Sequence, residues 1–280
     1  MRSEEVSAAI IAPPSQEEWV AAKKRVRINE QIQLAYVEWG NTEAEPAILV
    51  HGYSDNSRAY STIAPYLNDK HYHAVDLRGH GNSSKPESRY HASDFAEDIG
   101  DFIKAMGYQQ ACVVGHSLGS ITAGVLASVH PECVSRLVLI SSTLRTGPFV
   151  DWVEAELSKA RFPLDVNGEF IKTWAANPGG MDEAMLAPLR HEEAAMPECA
   201  WRGIARGLQT LDWTQAARHI TAPTLIMWGD QDELMLESDQ EALRRALPSA
   251  KFVRYDGLGH SMYWEEPERI SRDLTAFLAQ

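Results

Sequence analysis

The chain has 280 residues, 44% hydrophobic and 23% charged, with a formal net charge of −13. This length and balance fit one large folded core, alone or with an insertion, and exclude a disordered or fibrous chain. So acidic a surface repels phosphate backbones, which argues against a nucleic-acid partner, and no apolar run approaches the roughly 20 residues that span a bilayer.

Residues 1–24 are expected to form a flexible leader. The apolar stretch from Ala8 to Ala12 is too short for a signal-peptide core, and Glu4-Glu5 is the wrong flank for one. Lys23-Lys24-Arg25 reads as a solvated sheet edge that discourages pairing with other sheets. Residues 26–39 alternate apolar and polar positions (Val26, Ile28, Ile32, Leu34, Tyr36), with a change of direction at Asn29-Glu30. An antiparallel hairpin with one wet face follows.

From Pro46 the pattern changes. Ala47-Ile48-Leu49-Val50 is continuously apolar, as in a strand covered on both faces. The same run recurs at Ala111-Cys112-Val113-Val114, Leu137-Val138-Leu139-Ile140 and Thr224-Leu225-Ile226-Met227-Trp228, and more weakly at His73-Ala74-Val75 and Lys251-Phe252-Val253. Helical patterns lie between. One, capped by Ser93, carries the stripe Phe95, Ile99, Phe102, Met106 and stops at Gly107. Others span residues 120–129, 239–247 and 267–278. Alternation of this kind predicts a mostly parallel sheet of about eight strands with helices on both faces. Residues 143–220 break it. They hold Trp152, Trp174, Trp201 and Trp213, with punctuation at Asn177-Pro178-Gly179-Gly180. They are expected to form short helices inserted into a core built from residues 25–142 and 221–280.

Each buried run ends in residues with chemistry, and an open α/β sheet places its site at those carboxyl ends. Gly115-His116-Ser117-Leu118-Gly119 joins a strand to a helix. Two glycines flanking the serine suit a sharp turn that lifts its hydroxyl clear of the sheet. A serine nucleophile needs a base, and the base needs a third group to orient it. His260 is the best base, in a glycine-rich loop after a predicted strand. Two neighbouring acids qualify to orient it, Asp230 and Asp232; Asp232, three residues past Gly229, has the reach to curl back toward it, and Asp230 is the candidate for bracing the loop. The oxyanion needs preorganised N–H donors. These are assigned to the backbone of Leu118, at a helix N-terminus, and of Tyr53, after His51-Gly52. His116 flanks the serine but should point away from it. His116, Trp152, Trp174 and Met262 are candidates for the pocket lining. No metal and no cofactor are expected. Cys112, Cys133 and Cys199 lack pairing or metal spacing, which fits reduced thiols and a cytoplasmic location.

Taken together, residues from about Val26 onward resemble the α/β-hydrolase superfamily. His51-Gly52 looks like its oxyanion loop, and Asp76-Leu77-Arg78-Gly79-His80-Gly81-Asn82-Ser83 like its D-x-R-G-x-G-x-S loop. Gly115–Gly119 matches the nucleophile elbow. Gly229-x-x-Asp232 and Gly259-His260 match the acid and base loops, in the order Ser, Asp, His. The resemblance implies a helical cap over residues 143–220 and structural roles for Asp76, Arg78 and His80. Relatives that dehalogenate or open epoxides carry aspartate where this chain has Ser117. The expected activity is hydrolysis of a small-molecule carboxylic ester or lactone through an acyl-enzyme, with an apolar or aromatic substrate. Alternatives on the same fold are C–C bond hydrolysis, thioester hydrolysis, perhydrolysis and acyl transfer, and a non-catalytic ligand receptor. Between residues 151 and 198 ten acidic residues face four basic ones, which argues against a CoA thioester. The oligomeric state has no signature in the sequence.

Overall fold

The computed structural model describes residues 12–176 and 181–280. Residues 1–11 of the expected leader, and the punctuation at 177–180, lie outside the described residues. In chain order the elements are α1 (Gln16–Ala22), β1 (Lys24–Arg27), β2 (Gln33–Gly40), β3 (Pro46–Val50), β4 (His71–Asp76), α2 (Ala92–Ala105), β5 (Ala111–His116), α3 (Leu118–Val129) and β6 (Val134–Ile140). Five helices follow: α4 (Phe149–Lys159), α5 (Glu169–Trp174), α6 (Glu183–Ala194), α7 (Glu198–Gln209) and α8 (Thr214–Ala217). The chain then returns to the sheet with β7 (Thr224–Gly229), α9 (Glu237–Ala246), β8 (Lys251–Tyr255), α10 (Met262–Glu265) and α11 (Pro267–Leu278).

The strands form one eight-stranded sheet in the order β1-β2-β4-β3-β5-β6-β7-β8. β1, β2 and β4 pair antiparallel, and every other pairing is parallel. The parallel strands are the apolar runs of the sequence, and β5 and β7 are buried along their whole length. A strand buried on both faces must be apolar at consecutive positions, which is why these runs were legible. The described helices include none long and apolar enough to cross a membrane.

Four expectations about the fold need correction. The leader is not flexible through residue 24: residues 16–22 are helical, with Ser15 and Glu18 forming a capping box. Trp19 is buried, donates to Ser57 Oγ at 3.1 Å and packs 5.7 Å from Trp39. That helix also removes the wet face of the hairpin. Val37 joins Trp19 in one core layer while Leu34 and Tyr36 join the other, so β2 is buried on both sides. The cap of α2 is His91, not Ser93, because the Asp94 carboxylate reaches back to accept the His91 N–H at 3.0 Å.

Lys23 likewise departs from the solvated edge. Lys24 is exposed, but the Lys23 side chain is only 6% exposed and its ammonium lies 2.7 Å from the fully buried Asp76 carboxylate. Burial works to raise the Asp76 carboxyl. Lys23 and the N–H groups of Asn82 and Ser57 outweigh it and hold the group below the ordinary carboxylate range. A depressed carboxyl contributes stability that is complete above its unfolded pKa and lost as pH falls through the folded one. Removing the cation alone leaves a buried charge uncompensated. Lys23→Met is therefore expected to cost about 3 kcal/mol or more at neutral pH, read from urea unfolding. A loss below about 1 kcal/mol would mean that the neighbouring N–H groups suffice.

Candidate active site

β5 and α3 meet at Ser117, whose backbone sits at φ 53°, ψ −119°. No β-carbon-bearing residue takes that conformation without strain, and it persists because its surroundings fix it. The Ser117 N–H donates to the Ile140 carbonyl at 3.0 Å, and its carbonyl accepts from the Ser120 and Ile121 N–H groups. The turn is possible because Gly115 and Gly119 touch. A Cβ on Gly115 would lie 2.1 Å from the Gly119 carbonyl oxygen, and one on Gly119 only 1.9 Å from that of Val50.

β7 delivers Asp232 and β8 delivers His260. The His260 Nδ1 lies 2.9 and 3.0 Å from the two Asp232 carboxylate oxygens. Asp232 is buried and accepts the Leu234 and Met235 N–H groups at 3.0 and 2.9 Å. Burial acts to raise its carboxyl, but His260 and those N–H donors hold it down, so it stays ionised. Asp230 faces elsewhere: it accepts from the Gly257 N–H at 2.7 Å and pairs with Arg254 at 2.8 Å. Ser117 Oγ and His260 make no hydrogen bond in this geometry among the described residues. Such contacts commonly tighten only when substrate is bound.

Two histidines fix the loop after β3. His51 Nδ1 donates to the Gly52 carbonyl at 2.7 Å while its Nε2 accepts the Leu77 N–H at 3.0 Å. His80 Nδ1 donates to the Arg78 carbonyl and its Nε2 accepts the Ser54 N–H at 3.2 Å. Arg78 is held in turn by both oxygens of Asp98 at 2.6 Å. Tyr53 lies between these fixed points, and its N–H donates to no described residue. Leu118 opens α3, so its N–H has no intrahelical partner.

His116 is not idle. Its Nε2 donates to the His260 carbonyl at 3.0 Å, and Nδ1 accepts from the Tyr263 hydroxyl at 3.2 Å. Burial lowers its pKa to about 3, so it holds the histidine loop as a neutral ring.

Ser117, Asp232, His260, Tyr53, Leu118 and His116 border one cavity of about 900 Å³. Its far wall comes from the helices between β6 and β7. Trp152 and Trp174 stand nearly parallel, 6.4 Å apart, and both line the cavity. Met262 does not. It is fully buried in the opposite core layer with Val114, Leu225 and Leu274, because α10 starts two residues after His260 and turns its first side chain under the sheet.

Two acids of this cavity escaped the sequence reading. Asp55 and Glu193 both line it and both are buried. A Cβ on Gly52 would lie 3.3 Å from Ser117 Cβ and 3.4 Å from Asp55 Oδ2, so the serine and that carboxylate both border the Gly52 turn. Burial pushes the Asp55 carboxyl up to about 7, with His260 pulling the other way. Glu193 is raised well above the carboxylate range by burial and then by Asp55. It accepts from Ser54 Oγ, which accepts in turn from the Trp174 indole at 2.6 Å. A run of polar residues after His51-Gly52 was the available signal for Asp55; Glu193 had none.

Residues 46–267 match a family model described as the alpha/beta hydrolase fold. The chain is 30% identical to a 2-(acetamidomethylene)succinate hydrolase of Mesorhizobium japonicum over 82% of its own length and 87% of that protein. It is 25% identical to a bifunctional esterase/perhydrolase of Acinetobacter calcoaceticus over 90% of this chain and 98% of that one. A crystal structure of E-2-(acetamidomethylene)succinate hydrolase superposes with TM-score 0.78 at 27% identity, covering 92% of this chain and 99% of that one.

Proposed function

Since the chain belongs to the α/β-hydrolase fold family, we propose that it is a serine hydrolase of carboxylic esters or lactones, capped by residues 143–220. The observation that carries the reading is the His260–Asp232 pair opening into the cavity that Ser117 faces.

The steps follow from the residues. His260 Nε2 takes the Ser117 proton as Oγ bonds to the substrate carbonyl carbon. The carbonyl oxygen becomes an oxyanion against the N–H groups of Tyr53 and Leu118. His260, its positive charge stabilised by Asp232, returns the proton to the departing alkoxide as the ester C–O bond breaks. Water then gives its proton to Nε2, its hydroxide attacks the acyl carbon, and collapse frees the acid and regenerates Ser117.

The walls argue for an apolar or aromatic substrate group. Trp152 and Trp174 offer stacking faces to such a group. A fluorophosphonate probe should label Ser117 stoichiometrically, and a panel of acetyl to aromatic p-nitrophenyl esters and lactones should locate the preferred acyl group. An unlabelled serine with no turnover on the panel would overturn the reading in favour of a binding protein.

Two further outcomes separate the acids. Asp232→Asn should lower kcat by about 10³- to 10⁴-fold, by releasing the imidazole tautomer, whereas Asp230→Asn should stay within about twofold. Comparable losses would move the orienting role to Asp230. Asp55 is neutral below about pH 7 and gains a negative charge beside the oxyanion site above it. The expected kcat profile therefore has a descending limb near pH 7, which Asp55→Asn removes. A limb that persists in the variant belongs to another group.

A further inference from the structure

A second cluster lies at the amino end of β4, away from the carboxyl ends that carry the cavity. His71 and His73, two residues apart on one strand, project from the same face of the sheet. Glu38 on β2 stands directly opposite His73 in the antiparallel register. The two rings are 4.2 Å apart, centroid to centroid. Glu38 Oε2 lies 3.7 Å from His71 Nε2 and 3.6 Å from His73 Nδ1. These contacts are too long for hydrogen bonds, and both ring nitrogens are buried without a protein partner. His73 is fully buried and His71 nearly so.

The other nitrogens explain why the cluster is unbalanced. The Tyr108 hydroxyl lies 3.0 Å from His73 Nε2 and 3.1 Å from His71 Nδ1. One hydroxyl has one proton. It donates to one neutral ring and accepts from the other. The ring that gives its proton to Tyr108 turns a bare lone pair toward the Glu38 carboxylate, acceptor against acceptor. Lys24 does not intervene there, because its ammonium binds Oε1 at 2.6 Å and leaves Oε2 facing the rings.

We propose that Glu38, His71 and His73 form a binding site for a divalent first-row transition ion, zinc foremost. Two imidazoles and one carboxylate are a zinc donor set, and they leave a fourth position open. Zinc bonds these donors at about 2.0–2.2 Å, so two donors up to about 4.2 Å apart can share one ion. The 3.6 and 3.7 Å pairs already satisfy that limit. The three donor atoms lie within 4.8 Å of one another, so a small ring rotation closes the set. Tyr108 is the outer partner that fixes both ring orientations, and Tyr36 and Phe102 pack within 5.8 and 6.1 Å of the His73 ring. The site binds metal independently of ester hydrolysis and ties β2 to β4.

Zinc titrated into the untagged, chelator-treated full chain by calorimetry tests the assignment. One equivalent is expected to bind, with the Co²⁺ form showing the intense visible absorption of four-coordinate cobalt. At zinc near 100 times its Kd the melting temperature should rise by about 5 °C or more. Glu38→Gln and His71→Gln should each lose affinity about 100-fold, and Tyr108→Phe about tenfold, with esterase activity unchanged in all three. His260→Gln should keep the bound equivalent. The proposal is overturned if the wild-type chain binds no zinc, or if the equivalent survives in Glu38→Gln and His71→Gln and disappears in His260→Gln. Glu38 is partly exposed, so its variant keeps the test valid should His71→Gln fold poorly.

Discussion

Ser117→Ala is expected to abolish hydrolysis of short p-nitrophenyl esters, with kcat falling about 10⁴- to 10⁶-fold. The size follows from the loss of the bond-forming atom rather than of an aid to it. The oxyanion donors remain, so a trace of rate above the uncatalysed reaction should persist. The neighbouring hydroxyl in sequence does not replace Ser117 Oγ. Ser120 is nearest in sequence, but it is buried and its Oγ donates to the Ser117 carbonyl at 2.6 Å. Alanine keeps a β-carbon at φ 53°, so the elbow retains its strain and the fold should be undisturbed. Circular dichroism and melting therefore serve as the control. Activity above about one per cent in a well-folded variant would assign the chemistry to another nucleophile.

Gly119→Ala should act on folding instead. Its β-carbon would meet the Val50 carbonyl oxygen at 1.9 Å and that of His51 at 2.6 Å. Both are backbone atoms of the central sheet and its adjoining loop, with no rotamer to relieve the clash. The first turn of α3 must then leave β3, opening the best-packed part of the sheet. A cost above about 4 kcal/mol is expected, enough to unfold a domain of ordinary stability at 37 °C. Gly147→Ala, where a β-carbon would meet nothing within 4 Å, should be neutral. The comparison is read from soluble yield and urea midpoints. A soluble Gly119→Ala with a wild-type midpoint would mean that α3 can shift without loss.

Much of this was legible because the sheet is covered on both faces. Residues 47–50, 111–114, 137–140 and 225–228 are apolar at every position, and no exposed strand reads that way. Asp232 and His260 could be found because each follows such a run by a short, glycine-bearing loop. The first helix was missed because a seven-residue segment with one buried tryptophan has no stripe to detect. Lys23 and Asp76 lie 53 residues apart, and nothing local distinguishes a buried lysine from its exposed neighbour. Glu193 and Ser54 meet across 139 residues, and an acid on an amphipathic helix normally faces water. Met262 was misplaced for a related reason: two residues of turn after His260 decide which side of the sheet it enters.

The helices between β6 and β7 are fastened to the core at points far from their ends. The Tyr53 hydroxyl donates to the Trp201 carbonyl at 2.5 Å, and Ser54 bridges Trp174 and Glu193. Trp213 donates to the Thr143 carbonyl at 2.8 Å and lays its ring where a side chain on Gly124 of α3 would be. Swinging these helices away as a lid would break bonds at all of these points and strand buried polar groups, at about 1–3 kcal/mol each. The wall these bonds hold is therefore expected to select by its shape rather than by the energy of a closing motion. The inserted helices and the sheet are thus expected to unfold as one cooperative unit, although the chain enters and leaves the insertion only once.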